Sequence, residues 1–194
     1  MSKTTVEILE QIIQDRKSVF PHDYIEKPIP KEIIENIIAQ ADRAPTHKMT
    51  QPWRFKVLGK ESRSKLAIFL SEKYKSVYTG EQFKEKKYLK LQNNPNKAPC
   101  IIALCMQRDE EERLPEWEEV AALSMAVQNM WLMCTTYDIG CYWSSTSSVI
   151  KYIPEFLDLA EGESCLGFLY MGYYEREIPK SRRTPLEEKV TWLD

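Results

Sequence analysis

Two cations and a hydroxyl follow one another at Arg16, Lys17 and Ser18, directly after a stretch with helical apolar spacing. A guanidinium can meet a phosphate group through two parallel hydrogen bonds, so this triplet could hold a phosphorylated ligand. The alternative is that Arg16 and Lys17 cap the C-terminus of the preceding helix, where the helix dipole favours positive charge. Spacing alone favours the capping interpretation.

A second candidate segment runs from Arg43 to Phe55 and contains His47, one of only two histidines in the chain. Two prolines stiffen its backbone, so its polar groups are held in fixed directions. A lone histidine in a loop is more often a surface residue than a catalyst, and Trp53 could equally belong to the core.

The third candidate segment, residues 140–148, places Trp143 directly before a run of hydroxyl side chains that begins with Ser144 and Ser145. An indole can pack beside a flat ring while neighbouring hydroxyls donate hydrogen bonds to the polar edge of that ring. A serine-rich turn that caps the next helix is the alternative.

Glycine limits how a phosphate could be bound. The chain has six glycines, and none forms GxGxxG, GxxxxGK[ST] or GxSxG. A dinucleotide-binding glycine loop, a P-loop and a nucleophile elbow are therefore excluded. If the protein handles a phosphorylated cofactor, cationic side chains must hold its phosphate.

The composition excludes several other classes. A formal net charge of −2 and a pI near 5.9 predict no nucleic-acid partner. Five cysteines without a CxxC predict buried thiols in a reducing compartment, and two histidines predict no metal site. The N-terminus lacks the pattern of a signal peptide, and no apolar run approaches the roughly 20 residues that span a bilayer. We therefore expect a cytoplasmic protein without a membrane partner.

The periodicity indicates helices that alternate with a few strands. Thr4 and Glu7 have capping-box spacing, and the helix that they open is expected to end near Asp15. Pro30 suits the first position of a second helix. A strand over 53–58 and a helix over 61–78 follow. Residues 80–97 are strongly polar and predict a mobile helix-and-loop excursion, either a lid or, more simply, a surface loop.

The second half contains the most apolar elements. Residues 99–106 form a continuous apolar run, which predicts a strand in the middle of a sheet. Residues 115–137 predict a long helix buried against a sheet or a partner subunit. Shorter strands are expected at 141–143 and 165–173, with a helix after Pro154 between them. The polar tail from Arg182 to Asp194 carries apolar residues that need a surface to lie against. This order fits an α+β or three-layer arrangement.

Together these segments resemble the nitroreductase family, in particular its short branch of NAD(P)H nitroreductases, over nearly the whole chain. The strongest match is residues 44–55, which are close to the branch's Ala-Pro-x-His-x-x-x-x-Pro-Trp-x-Phe. The remaining matches are Arg16-Lys17-Ser18, Pro28 and Pro30 before the isoleucine-rich helix, Gln128-Asn129, Gly140, Trp143-Ser144-Ser145, Gly167 to Gly172, and Arg183 to Val190.

The resemblance implies a single nitroreductase-like domain over residues 1–194, with a three-layer α+β fold in which helices flank a central, mainly antiparallel sheet. It also implies an obligate homodimer with FMN at each of two interface sites, in which the long helix and the C-terminal tail reach the partner. FMN-binding residues carried over from the family are Arg16, Lys17 and Ser18 at the phosphate and the polar part of the ring, Arg43 and His47 from the other subunit, and Trp143, Ser144 and Ser145 along the ring or ribityl chain. Arg182 or Arg183 could add charge at the phosphate.

Two departures from the family pattern matter. Lys17 stands where the family usually has a second arginine, which weakens bidentate contact there. Met49-Thr50 precede the Gln-Pro-Trp where many larger members have asparagine, so Met49 is expected to be part of the pocket wall rather than a flavin-edge contact.

The implied activity is transfer of hydride from NADH or NADPH to FMN, followed by reduction of a nitroaromatic, quinone or similar small electrophile in the same space. The flavin carries the chemistry, so no catalytic side chain is predicted. Two alternatives stay open: a reductive dehalogenase or flavin-modifying member of the same fold, and a non-catalytic flavin-binding dimeric module.

Overall fold

The computed structural model describes residues 3–179 and 182–193. Within these ranges the chain forms six α-helices and four β-strands. In chain order they are α1 (Thr5–Asp15), α2 (Lys31–Ala41), β1 (Trp53–Leu58), α3 (Lys60–Val77), α4 (Glu85–Lys97), β2 (Cys100–Gln107), α5 (Glu116–Thr136), β3 (Ile139–Ser144), α6 (Ile153–Leu157) and β4 (Glu163–Tyr173).

The predicted starts of α1, α2, α3 and α5 each lie within one residue of the observed starts. The Thr4 hydroxyl accepts a hydrogen bond from the Glu7 N–H at 3.3 Å, and the Glu7 carboxylate accepts one from the Thr4 N–H at 2.7 Å. This capping box fixes the first turn of α1. The second helix begins at Lys31, because Pro30 has extended backbone angles and occupies the N-cap, one residue before its predicted place. Residues 85–97 of the polar stretch form α4, a helix of 13 residues.

The strands form one antiparallel sheet in the order β1-β2-β4-β3. The apolar run of β2 lies in the middle, as its composition predicts, and pairs with β1 on one side and β4 on the other. The last strand in sequence, β4, is also internal, because β3 pairs along its other edge. The edges of the sheet are β1 and β3.

Alternation along β2 divides the core between the two faces of the sheet. Ile102 and Leu104 belong to a cluster formed with α2 and α5, whereas Ile101 and Ala103 belong to a cluster formed with α3 and α6. Because successive side chains of a strand point to opposite faces, a central strand covered on both sides is apolar throughout. The three-layer α+β arrangement predicted from the sequence is confirmed.

Several apolar side chains nevertheless lie on the outside of this chain. Helix α1 has no buried residue although Val6 and Leu9 give it an apolar side. On α5, Trp117 is 68% exposed, and near the end of the tail Trp192 is 89% exposed. Asp194, the last residue of the predicted tail, lies outside the described residues.

The cysteines behave as the composition predicts. All five are free thiols and all are buried. Burial raises the pKa of the Cys100 thiol to about 12, so it stays protonated at neutral pH. Among the described residues, no helix is both long and apolar enough to cross a membrane.

Candidate functional site

The first and third candidate segments lie side by side in the fold. After α1 the chain turns along the free edge of β3, where Ser18 forms a parallel bridge with Cys141. The Val19 N–H donates to the Cys141 carbonyl at 3.1 Å. This approach needs a glycine on β3, because a Cβ on Gly140 would lie 2.6 Å from the Cβ of Val19. Sequence positions more than 120 residues apart are thus brought to one edge of the sheet.

The two cations of the first segment are half-buried and ordered by contacts to other elements. The Arg16 guanidinium lies 4.8 Å from the centroid of the Trp131 ring on α5. The Trp131 indole N–H donates to the Lys17 carbonyl at 3.2 Å, and Lys17 Nζ donates to the Ile178 carbonyl at 2.9 Å. The backbone of Arg16 forms the C-cap of α1, but its side chain lies on the indole of α5. The capping interpretation therefore accounts for the backbone of Arg16 but not for its guanidinium, and Arg16, Lys17 and Ser18 line neither of the two cavities described below.

The third segment lines a cavity of about 240 Å³ beyond the end of β3. Trp143, Ser144 and Ser145 all contribute to it, as do the two hydroxyl residues Thr146 and Ser148. The hydroxyls of Thr146 and Ser148 are buried and find no hydrogen-bond partner in the described part of the chain. A buried hydroxyl without a partner costs free energy, so these groups mark a place where a polar ligand or water would bind.

A close contact with β4 fixes the position of this segment. The Trp143 indole N–H donates to the Leu166 carbonyl at 3.1 Å. Gly167 has a φ of +133°, and a Cβ there would lie 2.7 Å from Trp143 Nε1 and 3.0 Å from the Cα of Ser145. Only glycine satisfies both the backbone angle and the space. The serine-rich segment is therefore held against the sheet rather than acting as a free turn.

Another part of the cavity lining comes from α4, whose residues were not predicted to belong to the site. Lys87, Lys90 and Asn94 line it. Lys90 Nζ lies 5.5 Å from the Phe20 ring and 5.9 Å from the Tyr142 ring. The sequence does contain a pattern that places these three residues together, because they follow the i, i+3, i+7 spacing of one helix face. The polar composition of residues 80–97 obscured it.

The cavity thus has cations on one wall and hydroxyls on the other. Its floor includes Tyr170, whose pKa is raised, mainly by burial, well above the ordinary value for tyrosine. That phenol is neutral at physiological pH. This arrangement suits a polar ligand with negative charge or hydrogen-bond acceptors on the side that faces α4.

The second candidate segment lies at a different groove of the same chain. His47 Nδ1 is 2.7 Å from the Glu118 carboxylate on α5, and both side chains line an open groove of about 500 Å³. Trp117 and Met125 supply its apolar wall. Arg43 is exposed at the end of α2. Within one chain, the structure does not bring Arg43 and His47 to the cavity that Trp143 lines.

The loop that carries His47 is strained. Lys48, Met49 and Gln51 have φ values of 48°, 55° and 43°, although none is glycine. Each such residue costs on the order of 1 kcal/mol. The Gln51 N–H donates to the Thr46 hydroxyl at 3.1 Å, which helps to hold this conformation. Strain concentrated in one loop is typical of a functional segment.

The remaining predicted cations, Arg182 and Arg183, are both exposed. Arg183 donates to the carbonyl of Arg182 at 2.9 Å, and neither residue lines the cavities described above. Their role at a phosphate stays a prediction.

Comparison with known proteins agrees with this architecture. The family model of the nitroreductase family matches residues 13–173. The chain is 27% identical over 189 residues to a Bacillus subtilis protein named Putative NAD(P)H nitroreductase YfhC, covering 95% of this chain and 93% of that protein. It is 28% identical over 184 residues to Putative NAD(P)H nitroreductase YdjA of Escherichia coli K12, covering 93% of this chain and 95% of that protein.

Solved structures show the same fold. The nitroreductase-like family protein from Bacillus cereus superposes with a TM-score of 0.81 at 25% identity, covering 100% of this chain and 98% of the other. A Desulfovibrio desulfuricans protein, solved in complex with FMN and described as a putative nitroreductase, superposes with a TM-score of 0.73 at 21% identity, covering 100% of this chain and 99% of the other. The chain belongs to the nitroreductase family, as its motifs predict, and is an oxidoreductase.

Proposed function

We propose that this protein is an FMN-dependent oxidoreductase that takes hydride from NADH or NADPH and reduces nitroaromatics, quinones or similar small electrophiles. The observation that carries the proposal is the pairing of Ser18 with Cys141, which aligns the Arg16-Lys17-Ser18 segment with the strand that ends at Trp143. Family membership and the names of the relatives support the donor and the cofactor.

The residues present fit FMN. Arg16, Lys17 and Ser18 would hold the phosphate, because two half-buried cations and a hydroxyl meet the charge and acceptor geometry of that group. Trp143, Ser144 and Ser145 would lie along the flavin ring or ribityl chain. The orphaned hydroxyls of Thr146 and Ser148 would gain partners from a polar ligand in the cavity.

Bound FMN would supply the hydride-accepting and hydride-donating chemistry, which no side chain of this protein provides. The contribution of the chain is orientation and electrostatics. Lys90 places an exposed positive charge at the cavity, close to the Phe20 and Tyr142 rings, and would stabilise negative charge on the ligand. A shared, open space for donor and acceptor would produce ping-pong kinetics and broad acceptor use.

We propose that two copies form the working unit. The cavity of about 240 Å³ is below the roughly 300 Å³ at which small-molecule sites usually begin, so one chain supplies an incomplete site. The outward apolar side chains of α1 and α5 and those of the tail need cover. In a dimer, Arg43 and His47 of one copy would approach the flavin of the other, as the family resemblance implies.

Three observations on purified protein test the activity. Bound FMN should give a yellow preparation whose colour is bleached by NADH or NADPH without oxygen and restored by a nitroaromatic. Parallel double-reciprocal plots for donor and acceptor would support the ping-pong order, and intersecting lines would contradict it. Flavin that stays oxidised in excess NADH and NADPH would contradict the proposed electron donor and favour a non-catalytic flavin-binding module.

The phosphate site is tested by Arg16→Ala. Loss of a charge-assisted hydrogen bond costs about 1.5–3 kcal/mol, so FMN should bind about 10- to 150-fold more weakly while the circular dichroism spectrum is retained. The matched control is Arg54→Ala, because Arg54 is an exposed arginine on β1, at the opposite edge of the sheet. Unchanged FMN affinity in Arg16→Ala would remove Arg16 from the site.

A further inference from the structure

A second polar pocket of about 390 Å³ lies where α3 begins and α4 ends. It is distinct from the cavity at Trp143, which contacts the middle of α4 and has no lining residue in common with it. Four cations line it: Lys27, Lys60, Arg63 and Lys97. Glu26 and Asn96 add a carboxylate and an amide, and two prolines complete the walls.

The charge of this pocket stands out against the rest of the protein. The chain has 27 basic and 29 acidic residues, yet the pocket has four cations and one carboxylate. None of these four cations has an acidic partner within 4.0 Å among the described residues. Glu61, at the start of α3, pairs with Lys65 at 2.7 Å and so does not neutralise Lys60. Gathering unpaired like charges in one concave place favours binding of an anion.

The environment of the Arg63 side chain also favours an anionic ligand. One of its terminal nitrogens donates to the Ala98 carbonyl, which anchors the side chain. Its Nε is buried and has no hydrogen-bond partner within the described ranges. Burial lowers the pKa of Arg63, because the guanidinium loses water without gaining an anion. A bound oxyanion would supply both the missing acceptor and the missing charge.

The backbone around the pocket is well fixed. The Ser64 hydroxyl donates to the Asn96 side-chain oxygen at 3.0 Å, which ties the end of α4 to the first turns of α3. Lys27 Nζ lies 4.3 Å from the centroid of the Tyr173 ring. The elements that form the pocket are therefore held together, and the three lysines that line it are exposed.

We propose that this pocket is a second binding site, specific for a small phosphate ester that carries sugar hydroxyls. The cations would hold the phosphate, and Glu26 would accept hydrogen bonds from hydroxyls that the sugar holds away from the charged group, whereas the hydroxyls of inorganic phosphate are on the anion itself, which the carboxylate repels. The volume lies in the range of about 300–1,000 Å³ that is usual for small-molecule sites. This site is separate from the proposed flavin cleft and does not depend on the proposed function.

Calorimetric titration of the purified protein tests the site, with ribose 5-phosphate, inorganic phosphate and ribose as probes, each on flavin-free protein and on FMN-loaded protein from which free FMN has been removed. We expect ribose 5-phosphate to bind with a submillimolar Kd that FMN does not change, and ribose not to bind. Equal affinity for inorganic phosphate would overturn the sugar-ester assignment. Binding that is lost in the FMN-loaded protein would locate the ester in the flavin cleft and overturn the second site, as would no heat at millimolar ester.

The variant Lys60→Gln/Lys97→Gln should weaken ribose 5-phosphate binding at least tenfold without changing the melting temperature, because both lysines are exposed. The matched control, Lys75→Gln, removes an exposed lysine near the other end of the same helix that lies outside the pocket. It should leave ribose 5-phosphate affinity unchanged. Equal affinities in the double variant and the control would overturn the proposal. A Glu26→Gln variant that discriminates the ester from inorganic phosphate as well as the unmodified protein does would overturn the role of the carboxylate.

Discussion

Replacing Gly167 with alanine should destabilise the protein and weaken flavin binding together. Gly167 has a φ of +133°, which costs a residue with a side chain about 1–3 kcal/mol. Its new Cβ would lie 2.7 Å from Trp143 Nε1, and the nearest atom of all is the carbonyl oxygen of Ser144. Overpacking of this kind costs about 1–3 kcal/mol more. We therefore expect Gly167→Ala to lower the free energy of unfolding by about 2–6 kcal/mol.

The collision reaches the candidate site because Gly167 lies directly against it. Trp143 and Ser144 pair in register with Leu169 and Phe168, so the two strands cannot separate without breaking the ladder. The strain should instead shift the segment around Ser145, which we propose contacts FMN. An FMN affinity about tenfold weaker than that of the unmodified protein is the expected second readout, equal to about 1.4 kcal/mol.

Urea unfolding followed by circular dichroism measures the first effect, and titration of flavin fluorescence measures the second. Gly59→Ala is the matched control, because a Cβ there has nothing within 4 Å and the backbone has a φ of −72°. Because Gly59 is the N-cap of α3, Gly59→Ala should lower the free energy of unfolding by less than about 1 kcal/mol. Neutral surface substitutions change the free energy of unfolding by up to about 0.5 kcal/mol. If Gly167→Ala changes it by no more than that, the reasoning from the close approach and the backbone angle is wrong.

Two further changes probe charged groups near the start of α5. Glu119→Gln should lower the free energy of unfolding, measured in urea, by about 2–4 kcal/mol. The fully buried Glu119 carboxylate pairs with Arg108 at 2.7 Å and accepts a hydrogen bond from the Asp109 N–H at 2.9 Å. The expected loss lies towards the low end for a broken buried ion pair, because the Arg108 side chain is 23% exposed. A variant as stable as the unmodified protein would contradict that pairing. Hydrogen bonds from Arg113 lower the pKa of Asp109 from 3.8 to about 2. A depressed pKa means that its stabilising contribution is complete above pH 4 and is lost as the pH falls towards 2. Asp109→Asn should therefore show a flatter decline of stability over that window, and identical profiles would contradict the assignment.

Elements with a local signal were predictable from the sequence. Thr4 and Glu7 predict their capping box because both partners lie within one turn. The unbroken apolar run of β2 predicts a central strand because only a strand covered on both faces tolerates it. The predicted start of α2 was wrong by one residue, because an N-cap residue and a first helical residue differ only in one pair of backbone angles.

The set of residues that form the candidate site was harder to predict from the sequence. The helix face of Lys87, Lys90 and Asn94 follows from spacing, but which surface it meets depends on how α4 packs after the whole sheet forms. The contact between His47 and Glu118 joins residues 71 positions apart and leaves no pattern in a single sequence. Arg16 illustrates the limit of local reasoning, because its backbone caps α1 while its guanidinium lies on α5.

The position of β4 has a consequence for how the chain is made. Among the four described strands β4, Glu163–Tyr173, comes last in sequence, and it is inserted between β2 and β3, which are synthesised earlier. Until Tyr173 has emerged, β2 has an open edge whose apolar residues lack a partner, and the two faces of the core cannot both close. The complete sheet can therefore form only after β4 has been synthesised, and the edge of β2 that does not face β1 stays unpaired until then.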